Sequence, residues 1–137
     1  MQALLSIKPK YVEAIVSGEK RYEFRKSIFK SMNNIEKVYI YSSSPIRKIV
    51  GAFRIGKIIE DHPENLWIQL KQFSGLNALE FFSYFRDSQK GFAIQIEDLK
   101  EFEKPIDPRD SIPSFVPPQS FRYMNSGMLS ALSSYLR

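Results

Sequence analysis

Gly18-Glu19-Lys20-Arg21-Tyr22-Glu23-Phe24-Arg25 is the stretch on which the fold turns. Its glycine stands where a helix should end, because a left-handed residue is easiest to place without a Cβ. Arg21 to Lys26 then alternates charged with aromatic side chains, the period-two pattern of a strand. Tyr22 and Phe24 are expected to face the core, with Arg21, Glu23 and Arg25 on the opposite face. Lys20 stands at the strand entrance, where a bend can aim its ammonium toward the same space. One carboxylate between cations is either a structural ion pair or a device that holds an arginine rigid for recognition.

On the N-terminal side, Leu4-Leu5-Ser6-Ile7 reads as a short buried strand. Pro9 suits a first helical turn, and Tyr11, Val12, Ile15 and Val16 form an apolar stripe that ends at Gly18. On the C-terminal side, Lys37-Val38-Tyr39-Ile40-Tyr41 predicts a third strand, stopped by Ser42-Ser43-Ser44-Pro45. Arg47 to Ile59 is long and β-rich, and Gly51 and Gly56 within it point to bulges that curve a sheet into a small barrel. Residues 63–87 look helical, with Leu66, Trp67 and Leu70 on one face, a break at Gly75, and Leu79, Phe82, Tyr84 and Phe85 beyond it. Phe92 to Ile96 predicts a central strand. Five prolines between Pro105 and Pro118 predict an extended connector without regular structure. The tail, Ser126 to Arg137, carries Met128, Leu129, Leu132, Tyr135 and Leu136 at helical spacing, with Ser126 as its cap. The fold class is α+β, with five or six strands and peripheral helices.

The chain has 137 residues, the size of one domain. We assign residues 1–125 to that domain and 126–137 to a helical appendage that packs on it or pairs two copies. No apolar run approaches the roughly 18 residues of a membrane helix. The first residues lack the basic leader and apolar core of a signal peptide. Cysteine is absent, which removes disulfides and thiolate chemistry and fits a cytoplasmic protein. His62 is the only histidine. Asp61-His62-Pro63-Glu64 reads as a helix start, with Asp61 as N-cap and Glu64 closing a capping box, so neither imidazole catalysis nor a metal centre is expected. No cofactor is implied.

Charge is unevenly distributed. Residues 1–57 carry 12 Lys/Arg against 4 Asp/Glu, whereas residues 58–137 carry 8 against 11. A basic half on a small domain is the electrostatic footprint of a phosphate-binding protein, although mildly basic surfaces are also common without one. Lys8 and Lys10 start the first helix, where cations oppose the dipole and an anion would be welcome.

The pattern Gly18, Lys20, Glu23, Arg25 is G-x-K-x-x-E-x-R, which resembles the signature of the ASCH domain within the PUA-like superfamily. Leu5-Ser6-Ile7-Lys8-Pro9, Tyr41-Ser42-Ser43-Ser44-Pro45 and Pro117-Pro118-Gln119-Ser120-Phe121-Arg122-Tyr123 are similar to stretches of small bacterial and phage members. The resemblance covers roughly residues 3–123. It implies a small PUA-like β-barrel with a cleft beside the loop between the first helix and second strand, binding RNA or a nucleotide-like ligand. It also implies a rival reading as a hydrolase. One ASCH group removes acetyl from N4-acetylcytidine with a lysine, a threonine and a glutamate. Lys20 matches the lysine, whereas Glu23 stands at the threonine position. Other members are linked to RNA cleavage.

Three functional readings follow. The first is a binding module for RNA, single-stranded by preference. Lys8 and Lys20 contact phosphate, with Lys10, Arg25, Arg47 and Lys48 extending the basic surface. Glu23 orients Arg25 or a base edge, Tyr41 offers a stacking face, and Ser43 and Arg122 stand at the rim. The second is an amidohydrolase or ribonuclease using Lys20, Glu23, Tyr41 and Ser43, in which a lysine nucleophile needs burial or cationic neighbours to lose its proton. The third is a protein-interaction module with a solvated basic face. Gln119 to Tyr123 either folds back as a helical turn that plugs the cleft with Phe121, or anchors the proline-rich connector.

Overall fold

A computed structural model describes residues 1–28, 30 and 34–135. Among them are six strands and four α-helices: β1 (Gln2–Ile7), α1 (Pro9–Ser17), β2 (Tyr22–Arg25), β3 (Lys37–Ser42), β4 (Lys48–Asp61), α2 (Pro63–Leu70), α3 (Ala78–Tyr84), β5 (Gly91–Ile106), β6 (Phe121–Met124) and α4 (Ser126–Leu132). The strands form one sheet in the order β2-β5-β4-β3-β1-β6. β1 and β3 run parallel and every other neighbouring pair is antiparallel.

Period-two alternation explains how β1 and β3 lie buried on both faces. Ala3, Leu5 and Ile7 join Val38, Ile40, Phe53 and Ile94 under Val12 and Ile15 of α1. Leu4, Tyr39 and Tyr41 point the other way, into a second cluster closed by Ile49, Phe115, Met124, Met128 and Leu132. Strands covered on both sides read as unbroken apolar runs, which is how Leu4-Leu5 and Val38 to Tyr41 appear in the sequence. A third cluster packs Tyr22, Phe24 and Ala93 against Leu66, Leu70, Phe81 and Phe85 of α2 and its successor.

The expected bulges are present, with register shifts in the β4–β5 ladder between Ile49 and Gly51, Ala52 and Arg54, and Ile55 and Ile58. They bend the sheet without closing its hydrogen-bond ladder, so the expected barrel is an open, barrel-like sheet with β2 and β6 as edges. Arg25 on β2 nevertheless reaches the other end. Its guanidinium donates to the Ser6 carbonyl of β1 at 3.2 Å and to Ser120 Oγ, just ahead of β6, at 2.9 Å.

Several local expectations are corrected. His62, not Asp61, caps α2: its Nδ1 accepts from the Glu64 N–H at 3.2 Å, while Asp61 Oδ1 accepts from the His62 N–H and from Asn65 Nδ2. Pro63 takes the first helical position, which moves the cap one residue along. The capping box belongs instead to Asn77 and Glu80 at the start of α3. Helix 63–87 is three pieces, with a short 3-10 turn at Lys71–Phe73 between α2 and the Gly75 break. β5 runs through Pro105 to Ile106, tolerated because β2 pairs only with Phe92 to Gln95 and leaves that side unpaired. Gln119 to Tyr123 is no helical turn, since Phe121 to Met124 pair with β1 and Phe121 packs on the first core cluster. Asn125, rather than Ser126, caps α4 by accepting from the Met128 N–H at 2.8 Å. Met128 and Leu132 are buried, so this helix is packed on the domain; Leu136 and Arg137 lie outside the described residues.

Candidate functional site

Gly18 ends α1 with φ of 88°, in the left-handed region that a side chain disfavours. The chain then turns sharply, so that Lys20 meets Ser74 in an isolated antiparallel bridge and the Arg21 N–H donates to the Phe73 carbonyl at 2.8 Å. This places Lys20 inside the protein. Its residue is 2% exposed, and Nζ donates to the Ser74 carbonyl at 3.0 Å. The rings of Phe24 and Tyr11 lie 5.0 and 5.8 Å from the ammonium. Gly75 permits the approach: its φ is 65°, and a Cβ there would stand 2.6 Å from Lys20 Cβ.

Glu23 bridges two cations. Oε1 lies 3.6 Å from Lys20 Nζ, and Oε2 lies 2.9 Å from Arg25 Nη2. Arg25 thus holds Glu23, Ser6 and Ser120 together with one planar group, which a lysine could not do. The cluster thus sets two basic groups, Lys20 and Arg25, against one carboxylate. Burial holds the Lys20 ammonium below its ordinary value of 10.5, and the attraction of Glu23 opposes the shift without cancelling it.

A cleft of about 860 Å³ opens above the cluster. It is lined by Lys8 at the start of α1, by Lys20, Glu23 and Arg25, by Tyr41, Ser43, Ser44 and Arg47 at the β3–β4 turn, and by Pro117 to Gln119. Leu76, Glu80, Ser83 and Tyr84 add a wall from α3 and its approach, and Ser6, Ile7, Tyr11 and Phe24 also face the space. Four cations and two carboxylates face this space. Glu80 is already occupied, because its Oε2 accepts from Lys10 Nζ at 2.7 Å and from the Tyr11 hydroxyl at 3.1 Å. The Lys10 hydrogen bond is the largest reason its carboxyl is held down to about 2.

The predicted site residues therefore separate. Lys8, Lys20, Glu23, Arg25, Tyr41, Ser43 and Arg47 share the cleft, with Lys8 and Arg47 exposed and Ser43 half-buried. Lys10 is turned to Glu80 and is not among the lining residues. Arg122 and Lys48 are exposed on β6 and β4, outside the lining. Tyr41 is 1% exposed with its ring against Phe115 at 5.6 Å, so it offers no open stacking face. Sequence reading missed Ser74, Glu80, Tyr84 and Arg109. Arg109 donates to the Arg47 carbonyl at 3.2 Å and reaches the Tyr41 hydroxyl at 3.5 Å, fixing the turn from 62 residues away. The Ser74-Gly75 pair was legible as a helix break, but its role under Lys20 was not. Among the described residues, no group of three His, Asp or Glu is placed to hold a metal ion, and no helix is long and apolar enough to cross a membrane.

Comparison with known proteins adds a family. Residues 4–116 match the family described as Domain of unknown function (DUF365). The chain is 26% identical over 129 residues to an ASCH domain-containing ribonuclease of Zymomonas mobilis subsp. mobilis, a match that takes in 90% of this chain and 84% of the other. The crystal structure of ASCH from Zymomonas mobilis is similar with a TM-score of 0.86 at 25% identity, covering 98% of this chain and 94% of that one. Structures of two variants of that protein, a tyrosine changed to phenylalanine and a serine changed to alanine, have the same TM-score. The N-terminal domain of Staphylothermus marinus McrB shares the fold, with a TM-score of 0.64 at 14% identity over 98% of this chain and 93% of its own.

Proposed function

Since the chain belongs to the DUF365 family and is an ASCH domain protein, we infer that it binds RNA in the cleft above the Lys20–Glu23–Arg25 cluster. The observation that carries this reading is the division of labour among the cleft cations. Lys20 and Arg25 are consumed in holding Glu23 and the walls, whereas Lys8 and Arg47 stand exposed at the opening. Phosphates are met by Lys8 and Arg47. Lys20 is a positioning residue here rather than a phosphate ligand. The cleft's serine-rich and proline-rich walls suit a single strand, which can lay unpaired bases against them.

The test is a salt series of binding to a short labelled single-stranded RNA. Removing one phosphate-binding cation should lower the slope of log affinity against log salt by about 0.7. We expect Lys8→Ala with Arg47→Ala to lower it by roughly twice that figure. A wild-type affinity indifferent to salt would sink the reading.

RNA cleavage is a second reading, favoured by the ribonuclease relative. In strand scission by the neighbouring ribose, the 2′-oxygen attacks phosphorus, the bond to the 5′-oxygen breaks, and a proton passes from one oxygen to the other. A phosphate in the cleft would meet Lys8 and Arg47, with the Ser43 and Ser44 hydroxyls beside them on the same lining. Shortening of the labelled strand in the presence of a chelator, abolished in Arg47→Ala, would make the bound RNA a substrate. An intact strand after long incubation leaves the cleft a binding site.

A further inference from the structure

Four aromatic side chains line the cleft, and their burial separates them. Phe24 is 5% exposed and Tyr41 1%, both locked in core clusters, while Tyr11 is half-buried with its hydroxyl given to Glu80. Tyr84 is 40% exposed. It is also held: its ring meets Phe85 edge-on at 4.9 Å and 75°. Lys26 Nζ stands over the ring, 5.1 Å from its centroid, so a cation already takes one of its two faces. α3, which carries Tyr84, is pinned at its start by the Asn77–Glu80 box and through Glu80 to α1. An aromatic ring that is open to the cleft but fixed in orientation is the arrangement that stacking on an unpaired base requires, because little side-chain entropy is given up on binding.

We propose that Tyr84 is the base-stacking platform of the cleft, seating one unpaired nucleobase of a single strand whose phosphates are met by Lys8 and Arg47. This rests on the RNA reading above and goes beyond it by assigning the seat of the base. Stacking is tolerant of base identity, so the site would hold any base, with purines favoured by their larger face.

The experiment compares a short labelled single-stranded RNA with the same strand lacking its bases, each titrated against the wild type, Tyr84→Phe and Tyr84→Leu. Tyr84→Leu should weaken binding of the intact strand about tenfold, the size of one base–aromatic stack. Tyr84→Phe should bind like the wild type, and all three should bind the abasic strand equally. Equal affinity of Tyr84→Leu and wild type for intact RNA overturns the proposal, as does an equal loss on the abasic strand, which would mark a structural role. Failure of the wild type to bind either strand overturns the RNA reading itself. Should Tyr84→Leu not fold, Tyr84→Trp decides: its emission, referred to the Trp67 background, should be quenched by intact but not abasic RNA. Emission unmoved by bound RNA overturns the assignment.

Discussion

Lys20 shows how far a residue's surroundings can redirect its chemistry. A lysine beside a strand entrance is ordinarily a solvated cation, yet here the ammonium is buried between a carbonyl, a carboxylate and two rings. Loss of hydration disfavours the charged form, and Glu23 restores only part of that. Between its lowered folded value and 10.5 the unfolded chain binds more protons at this site than the folded one. Stability contributed through Lys20 therefore rises with pH there and is lowest where the buried ammonium is fully charged. Lys20→Met should remove that rise, seen as a difference between the urea-unfolding free energies of variant and wild type across this range. Parallel curves would contradict the burial of the charge. Comparing the two proteins also cancels the tyrosines Tyr11, Tyr39 and Tyr84, whose upward shifts act oppositely at high pH.

At the scale of elements, the site is assembled by turns rather than by the regular structure around them. Gly18 and Gly75 both hold positive φ, and their two loops meet at Lys20. The first glycine is legible as the end of α1, because the apolar stripe stops there. The second reads only as a break, and its purpose depends on a hydrogen bond across 54 residues of chain. The difference is measurable. A Cβ at Gly18 meets nothing within 4 Å, so Gly18→Ala should cost only the conformational penalty of about 1–2 kcal/mol for a left-handed residue with a side chain. Gly75→Ala carries the same penalty and in addition drives against Lys20 Cβ, so it should destabilise by more and disturb the Lys20 environment. Equal losses in thermal unfolding would show that the loop yields freely.

Across the whole molecule, Arg25 replaces the missing rung of the sheet. The ladder is open between β2 and β6, and one guanidinium spans the gap to Ser6 and Ser120 while neutralising Glu23. Arg25→Ala would leave a buried carboxylate facing only Lys20 at 3.6 Å and release both walls of the cleft. A buried pair broken on one side typically costs about 3–5 kcal/mol, and a loss of that order is expected in denaturant unfolding. Arg25→Lys should recover part of it, since charge returns without the planar fork. A loss below about 1 kcal/mol, as for exposed pairs, would mean the clasp is incidental.

Local periodicity determined β1 to β4, α1 and the turn of Glu23 and Arg25 to the face opposite Tyr22, since each depends on neighbours within a few residues. The spacing Gly18, Lys20, Glu23, Arg25 likewise marked the residues that converge. What the tertiary structure alone decided was their environment. Burial of Lys20 depends on Ser74, the openness of Tyr84 against the enclosure of Tyr41 depends on Phe115 and the packing of α3, and β6 exists because β1 offers it a free edge. Solvent exposure and long-range pairing are properties of the packed chain, set by residues far apart along it, and no short window of sequence contains them.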